Sequence, residues 1–178
     1  MRHLLMHTAR AWCAALCLVI VTDASAQEEK RPALEVGSVP EDKLGKDIGG
    51  HQVRISDYHG KVVILSFWAS WCGPCKRELP VLAGVVKRVG QDHLQVIAIN
   101  FKDDKQPFDY VVKVLKDFPI AILRDAHGST ADRYQVHAIP RMIMIDRDGK
   151  VAADYTGYDE SEIPALVDQL NKLLASTT

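Results

Sequence analysis

A pair of cysteines set between an apolar strand and an amphipathic helix constrains this chain more than any other feature. The run Val62-Val63-Ile64-Leu65-Ser66-Phe67-Trp68 is too continuously apolar for a surface strand and reads as one buried on both faces of a parallel sheet. Trp71-Cys72-Gly73-Pro74-Cys75-Lys76 follows at its C-terminal end. Beyond it Leu79, Leu82, Val85, Val86 and Val89 recur at spacings of three and four, which predicts a helix starting near Cys75 or slightly earlier. Cys72 is therefore expected at a helix N-terminus, where unpaired N–H groups and the helix dipole favour a thiolate over its thiol.

The start of the chain gives that thiol a compartment. Arg2 and Arg10 form a positive region, Ala11 to Val21 is apolar, and Ala24-Ser25-Ala26 fits a small-x-small cleavage site, so residues 1–26 read as a secretory signal peptide. The rival is a membrane anchor, but at 1.5 Å per residue the apolar run spans only about 16 Å against the roughly 30 Å of a bilayer core. Neither Cys13 nor Cys17 follows a Leu-small-small lipidation pattern. Cleavage would remove both and leave Cys72 and Cys75 as the sole pair. A bridge across four residues restricts the unfolded chain by about 2 kcal/mol, against about 4.7 for a 100-residue loop, so it makes a poor structural staple. An exported protein with one vicinal pair points to redox chemistry in a soluble, periplasmic or equivalent setting.

The remaining residues, about 150, suit one domain with one core. Hydrophobic residues at 47% and charged residues at 25% are ordinary globular values, and a net charge of −1 gives no electrostatic case for nucleic acid or an anionic membrane. Residues 27–35 read as a flexible segment, and charge, proline and glycine without periodicity extend to about Gly50. Val96 to Phe101 predicts a second buried strand, Phe108, Val111, Val112 and Leu115 a helix, Ile120 to Leu123 a third strand, and Ser129 to Tyr134 a helical turn. Met142 to Ile145 and Val151 to Tyr155 flank Asp148-Gly149 and read as an antiparallel hairpin. Ile163, Leu166, Val167, Leu170, Leu173 and Leu174 close the chain with a helix.

The stretch from Phe67 to Pro80, Phe-Trp-Ala-Ser-Trp-Cys-Gly-Pro-Cys-Lys-Arg-Glu-Leu-Pro, resembles the thioredoxin superfamily, and its wider spelling the TlpA/ResA-type branch. The likeness runs from about residue 36 to the C-terminus. It implies an α/β thioredoxin-like fold over residues 36–178, a central mixed sheet flanked by helices. A hairpin extension around Gly50 to Lys61 and a helical insertion around Val111 would distinguish the branch. It implies a thiol-disulfide oxidoreductase in which Cys72 attacks and Cys75 resolves, with no metal, flavin or nicotinamide. Pro80 would kink the active-site helix. Pro140 would be cis and face the cysteines, Ile139 would offer its backbone to substrate, and Arg141, a departure from the threonine common there, would lie beside the groove with its charge open to acidic partner segments or to the thiolate, an exposed strand-start arginine being the plain alternative. Trp71, Gly73 and Pro74 would form the docking surface and Trp68 would be core. Ser66 replaces the buried aspartate of ordinary thioredoxins and leaves the proton acceptor unnamed; Glu78 matches a family glutamate, with a solvated helix face as its plain alternative. The implied partners are disulfide-containing exported proteins, apocytochrome c in cytochrome c maturation among them. A membrane electron donor of the DsbD/CcdA type would serve a monomer.

Rival chemistries fare worse. A copper chaperone or a non-catalytic binding module would use Cys72, Cys75 and a histidine such as His127 or His137, but copper-delivering relatives space their cysteines C-x-x-x-C. Structural zinc lacks a second cysteine pair. Peroxiredoxins place threonine three residues before the reactive cysteine, where this chain has Ala69.

Overall fold

The computed structural model describes residues 34–176. The expected signal peptide, with Cys13 and Cys17, lies outside the described residues, as do residues 27–33. Seven strands are present among the described residues: β1 (Lys43–Lys46), β2 (Gln52–Arg54), β3 (Val62–Trp68), β4 (Leu94–Phe101), β5 (Ala121–Asp125), β6 (Arg141–Ile145) and β7 (Val151–Thr156). The helices are α1 (Gly73–Val89), α2 (Lys105–Leu115), α3 (Ser129–Arg133) and α4 (Ile163–Ala175).

The five-stranded sheet runs β5-β4-β3-β6-β7. Strands β3, β4 and β5 are parallel, whereas β6 runs against β3 and β7 against β6. All seven residues of β3 are buried, as its unbroken apolar run requires. On one face Val63, Leu65 and Phe67 pack with Leu44, Val53, Tyr134 and Ile143; on the other Val62 and Ile64 meet Leu82, Val86 and Leu170. Helices cover both faces of a mixed sheet, the thioredoxin-like architecture expected.

The segment before Gly50 is more ordered than its composition suggests. Strand β1 lies inside it and pairs with β2, so the hairpin starts at Lys43 and not near Gly50. The same segment covers both outer edges of the main sheet. Gly37 N donates to Val151 O at 2.7 Å and Val151 N to Ser38 O at 2.9 Å along β7, while Ile48 N donates to Ile122 O at 3.1 Å along β5. These contacts are made by main chain, which carries no side-chain pattern, and they close edges that would otherwise template foreign strands.

Register decides where the chemistry sits. Phe67 at the end of β3 pairs with Arg141 at the start of antiparallel β6, and Arg141 pairs with Thr156 at the end of β7. The α1 N-terminus, the Ile139-Pro140 loop and the Gly157-Tyr158 loop are thereby brought to one end of the sheet.

Candidate active site

Helix α1 begins where Gly73 and Pro74 occupy its first turn, where a proline lacking its N–H costs nothing. Cys72 is the N-cap, and its Sγ accepts from Cys75 N at 3.2 Å. A backbone donor is thus already aimed at the sulfur that would carry charge after reduction. Cys72 and Cys75 form a disulfide, with Cα atoms 5.3 Å apart. Cys72 is 5% exposed and Cys75 fully sealed, so an incoming group reaches Cys72 alone. Pro80 lies inside α1 without ending it, and Lys87 and Arg88 suit the dipole of its last turn.

The peptide between Ile139 and Pro140 is cis. Ile139 packs against the cluster that holds Cys72 and Cys75, and Pro140 is buried. Trp71 is 67% exposed, and Gly73 and Pro74 are exposed, so the residues flanking Cys72 in the chain present apolar surface to solvent. Trp68 is fully buried and stacks on Phe108 with ring centroids 6.2 Å apart.

Ser66 and Glu78 meet beneath this surface. Both are buried, and Ser66 Oγ donates to Glu78 Oε1 at 2.7 Å. Burial raises the Glu78 carboxyl to about 7, with the Ser66 bond pulling the other way, and Glu78 Oε2 has no partner. The solvated alternative for Glu78 is therefore set aside. Its signal was in the spacing: three residues after Cys75 and four before Leu82, Glu78 falls on the apolar stripe of α1. A carboxyl that titrates near neutrality one turn from a buried cysteine fits the proton acceptor that Ser66 cannot be.

Arg141 needs correction. Its Nε donates to Asp154 Oδ1 at 2.9 Å, its Nη2 to Asp154 Oδ2, and its Nη1 to the carbonyls of Tyr134 and Gln135, each at 2.6 Å. With the side chain 11% exposed and its donors committed inward, it has no open charge for an acidic partner. It instead braces the loop leading to Pro140.

Two further elements escaped the sequence reading. Gly157 N donates to Pro140 O at 2.8 Å, tying the β7–α4 loop to the cis peptide. Next to it, burial and the charges of Glu160 and Glu78 push the Tyr158 phenol up, with Arg77 opposing, so this loop lies within the field of the Glu78 carboxyl. His127 and His137 are exposed, and no group of three His, Cys, Asp or Glu side chains fit to hold a metal occurs among the described residues.

A family model described as the AhpC/TSA family matches residues 36–154. Thiol-disulfide oxidoreductase ResA of Geobacillus kaustophilus is 33% identical over 129 residues, covering 72% of this chain and 73% of that one. The protein of the same name from Bacillus subtilis is 29% identical over 143 residues, covering 80% and 79%. Among solved structures, one described as a thiol:disulfide interchange protein DsbE from Chlorobium tepidum superposes with a TM-score of 0.66 at 34% identity, covering 80% of this chain and all of that one.

Proposed function

Since the chain belongs to the AhpC/TSA family and, like its ResA relatives, is a thiol-disulfide oxidoreductase, we propose that it works outside the cytoplasm as a reductant of disulfides in exported proteins, cytochrome c maturation being the candidate setting. The observation that carries this reading is the asymmetry of the sulfur pair: Cys72, the N-cap of α1, keeps a small exposure and accepts from the Cys75 amide, while Cys75 is fully sealed.

In the reduced protein the Cys72 thiolate attacks one sulfur of the partner's disulfide and expels the other as a thiolate, giving a mixed disulfide. Cys75 then loses its proton to the Glu78 carboxylate and attacks Cys72 Sγ. The partner's second thiolate leaves, the Cys72–Cys75 bond closes, and two electrons have passed to the partner. Ile139 presents its backbone to the extended substrate across from Cys72, with Trp71, Gly73 and Pro74 as the flanking apolar surface. Regeneration requires a dithiol donor, for which a membrane protein of the DsbD/CcdA type has the right chemistry. A single-domain monomer suffices for both exchanges. The signal-like segment 1–26 supports export.

The decisive experiment is capture. Cys75→Ser leaves the mixed disulfide unresolved, so partners should accumulate as reductant-sensitive adducts; the adducts should vanish in Cys72→Ser. Adducts that persist without Cys72 would sink the mechanism.

A further inference from the structure

Asp103 immediately precedes Asp104, the N-cap of α2. It does not serve α2. Only 5% exposed, it turns back 33 residues along the chain, and its Oδ2 accepts from Ser70 N at 2.7 Å and from Asn100 Nδ2 at 2.7 Å. The chain reaches Asp103 through Lys102 at φ +54, a left-handed conformation that lysine adopts only at a cost.

The grip falls on a consequential place. Cys72 N donates to Ala69 O at 3.1 Å, closing a four-residue turn from Ala69 to Cys72, and Ser70 is its second residue. Asp103 therefore holds the turn that delivers the sulfur and carries exposed Trp71. The holder is itself braced: Arg124 Nη2 donates to Asp103 O at 2.9 Å, the Arg124 guanidinium lies 5.8 Å from the Phe108 ring centre, and Phe108 stacks on Trp68. Trp68 is the register partner of Asn100 across β3 and β4, which closes the frame. Short bonds to a carboxylate are stronger than neutral ones, and deleting this acceptor would strand two inward-facing donors.

We propose that Asp103 is a positioning residue for disulfide exchange, fixing the Ala69–Cys72 turn so that Cys72 Sγ and Trp71 are aimed at the partner. The proposal rests on the reading of Cys72 as the attacking thiol. Attack on a disulfide is in line, so loss of aim lowers turnover of a docked substrate while a small reagent that needs no docking is little affected.

The test uses the full chain, with a peptide disulfide as substrate and iodoacetamide as the small probe. Asp103→Ala should lower kcat about tenfold with KM changed less than about threefold. It should also speed hydrogen exchange at the Ser70 amide about tenfold or more, since that amide loses its acceptor. Alkylation of Cys72 in the Cys75→Ser background should stay within about twofold of its unsubstituted value. Asp103→Asn keeps a carbonyl oxygen at the same place and should restore both kcat and Ser70 protection; it also provides the readout if the alanine variant does not fold. A Ser70 amide equally protected in Asp103→Ala, an unchanged kcat, or an asparagine variant as impaired as alanine would each overturn the proposal. Cys72→Ser is measured alongside: activity surviving there overturns the nucleophile assignment, whereas its loss beside an unaltered Asp103→Ala overturns positioning alone.

Discussion

The Ser66 hydroxyl donates to Glu78 Oε1 at 2.7 Å, and both side chains are buried, so a hydroxyl on β3 and a carboxyl on α1 form a sealed polar pair beneath the cysteines. Ser66 pairs with Met142 across β3 and β6, which sets this dyad one strand from the chain that follows Pro140. One bond to a neutral hydroxyl does not offset the desolvation of a carboxylate, and this imbalance holds Glu78 near 7.

Stability follows with a definite sign. The folded protein binds the Glu78 proton more tightly than the unfolded chain, whose carboxyl titrates near 4.5. Stability is therefore lost as pH rises between about 4.5 and about 7, and the loss is complete above that window. The difference corresponds to about 3 kcal/mol. Glu78→Gln should remove this dependence, leaving the variant more stable relative to the parent at pH 8 than at pH 4.5. Its resolving step should slow about tenfold or more and lose the rise near pH 7, because an amide accepts no proton from Cys75. Urea unfolding at the two pH values and single-turnover kinetics check the two halves separately; parallel stability profiles for parent and variant would refute the linkage.

How much of this was legible in the chain depends on which atoms carry it. Strand β3 and helix α1 announce themselves by an unbroken apolar run and by spacings of three and four, and the β6–β7 hairpin by its Asp-Gly turn. Strand β1 has four residues and one buried side chain, Leu44, too few to make a period. Arg141 was misread because its partner is diagonal: Asp154 pairs with Ile143 and not with Arg141, a relationship that exists only once the register is known. The grip of Asp103 on Ser70 is a side chain reaching a distant backbone group and leaves no trace in composition or spacing.

That correction changes what Arg141→Thr should do. An open charge beside the groove would make its loss depend on the acidity of the substrate and on salt. A guanidinium committed to Asp154 and two carbonyls predicts a loss independent of both, together with a stability decrease of about 2 kcal/mol from the stranded carboxylate and carbonyls. Turnover of acidic and neutral model disulfides at low and high salt distinguishes the two. A deficit confined to acidic substrates and vanishing in salt would restore the binding role.

Cys72 should titrate below the ordinary thiol value of about 8.5, because its sulfur already accepts from the Cys75 amide at the head of α1. Alkylation rate against pH in the Cys75→Ser background measures this. The Glu78 carboxylate, ionised above about 7 and buried on the same helix, opposes the thiolate. Adding Glu78→Gln should therefore move the midpoint lower still. A midpoint at or above about 8.5 in Cys75→Ser would show that the helix N-terminus does not govern the thiol.

The same opposition bears on redox direction, which we expect to be reducing. Gly73-Pro74 is the dipeptide of thioredoxin, at about −270 mV, and differs from the Pro-His of the oxidant DsbA, at about −120 mV. No histidine stands between the cysteines to donate to the Cys72 sulfur, and Glu78 penalises the negative charge that the reduced form would carry. Both effects destabilise the reduced form and make the disulfide harder to reduce. Lys76 and Arg77 act in the opposite sense, but they are exposed, and water and salt screen them. The 150 mV separating the two reference proteins corresponds to about 7 kcal/mol for a two-electron couple, so the screened pair cannot reverse the direction. Equilibration against a glutathione series should place the couple below about −180 mV, the value of protein disulfide isomerase. Glu78→Gln should shift it to a less negative potential, and a parent potential above that value would make the protein an oxidase or isomerase.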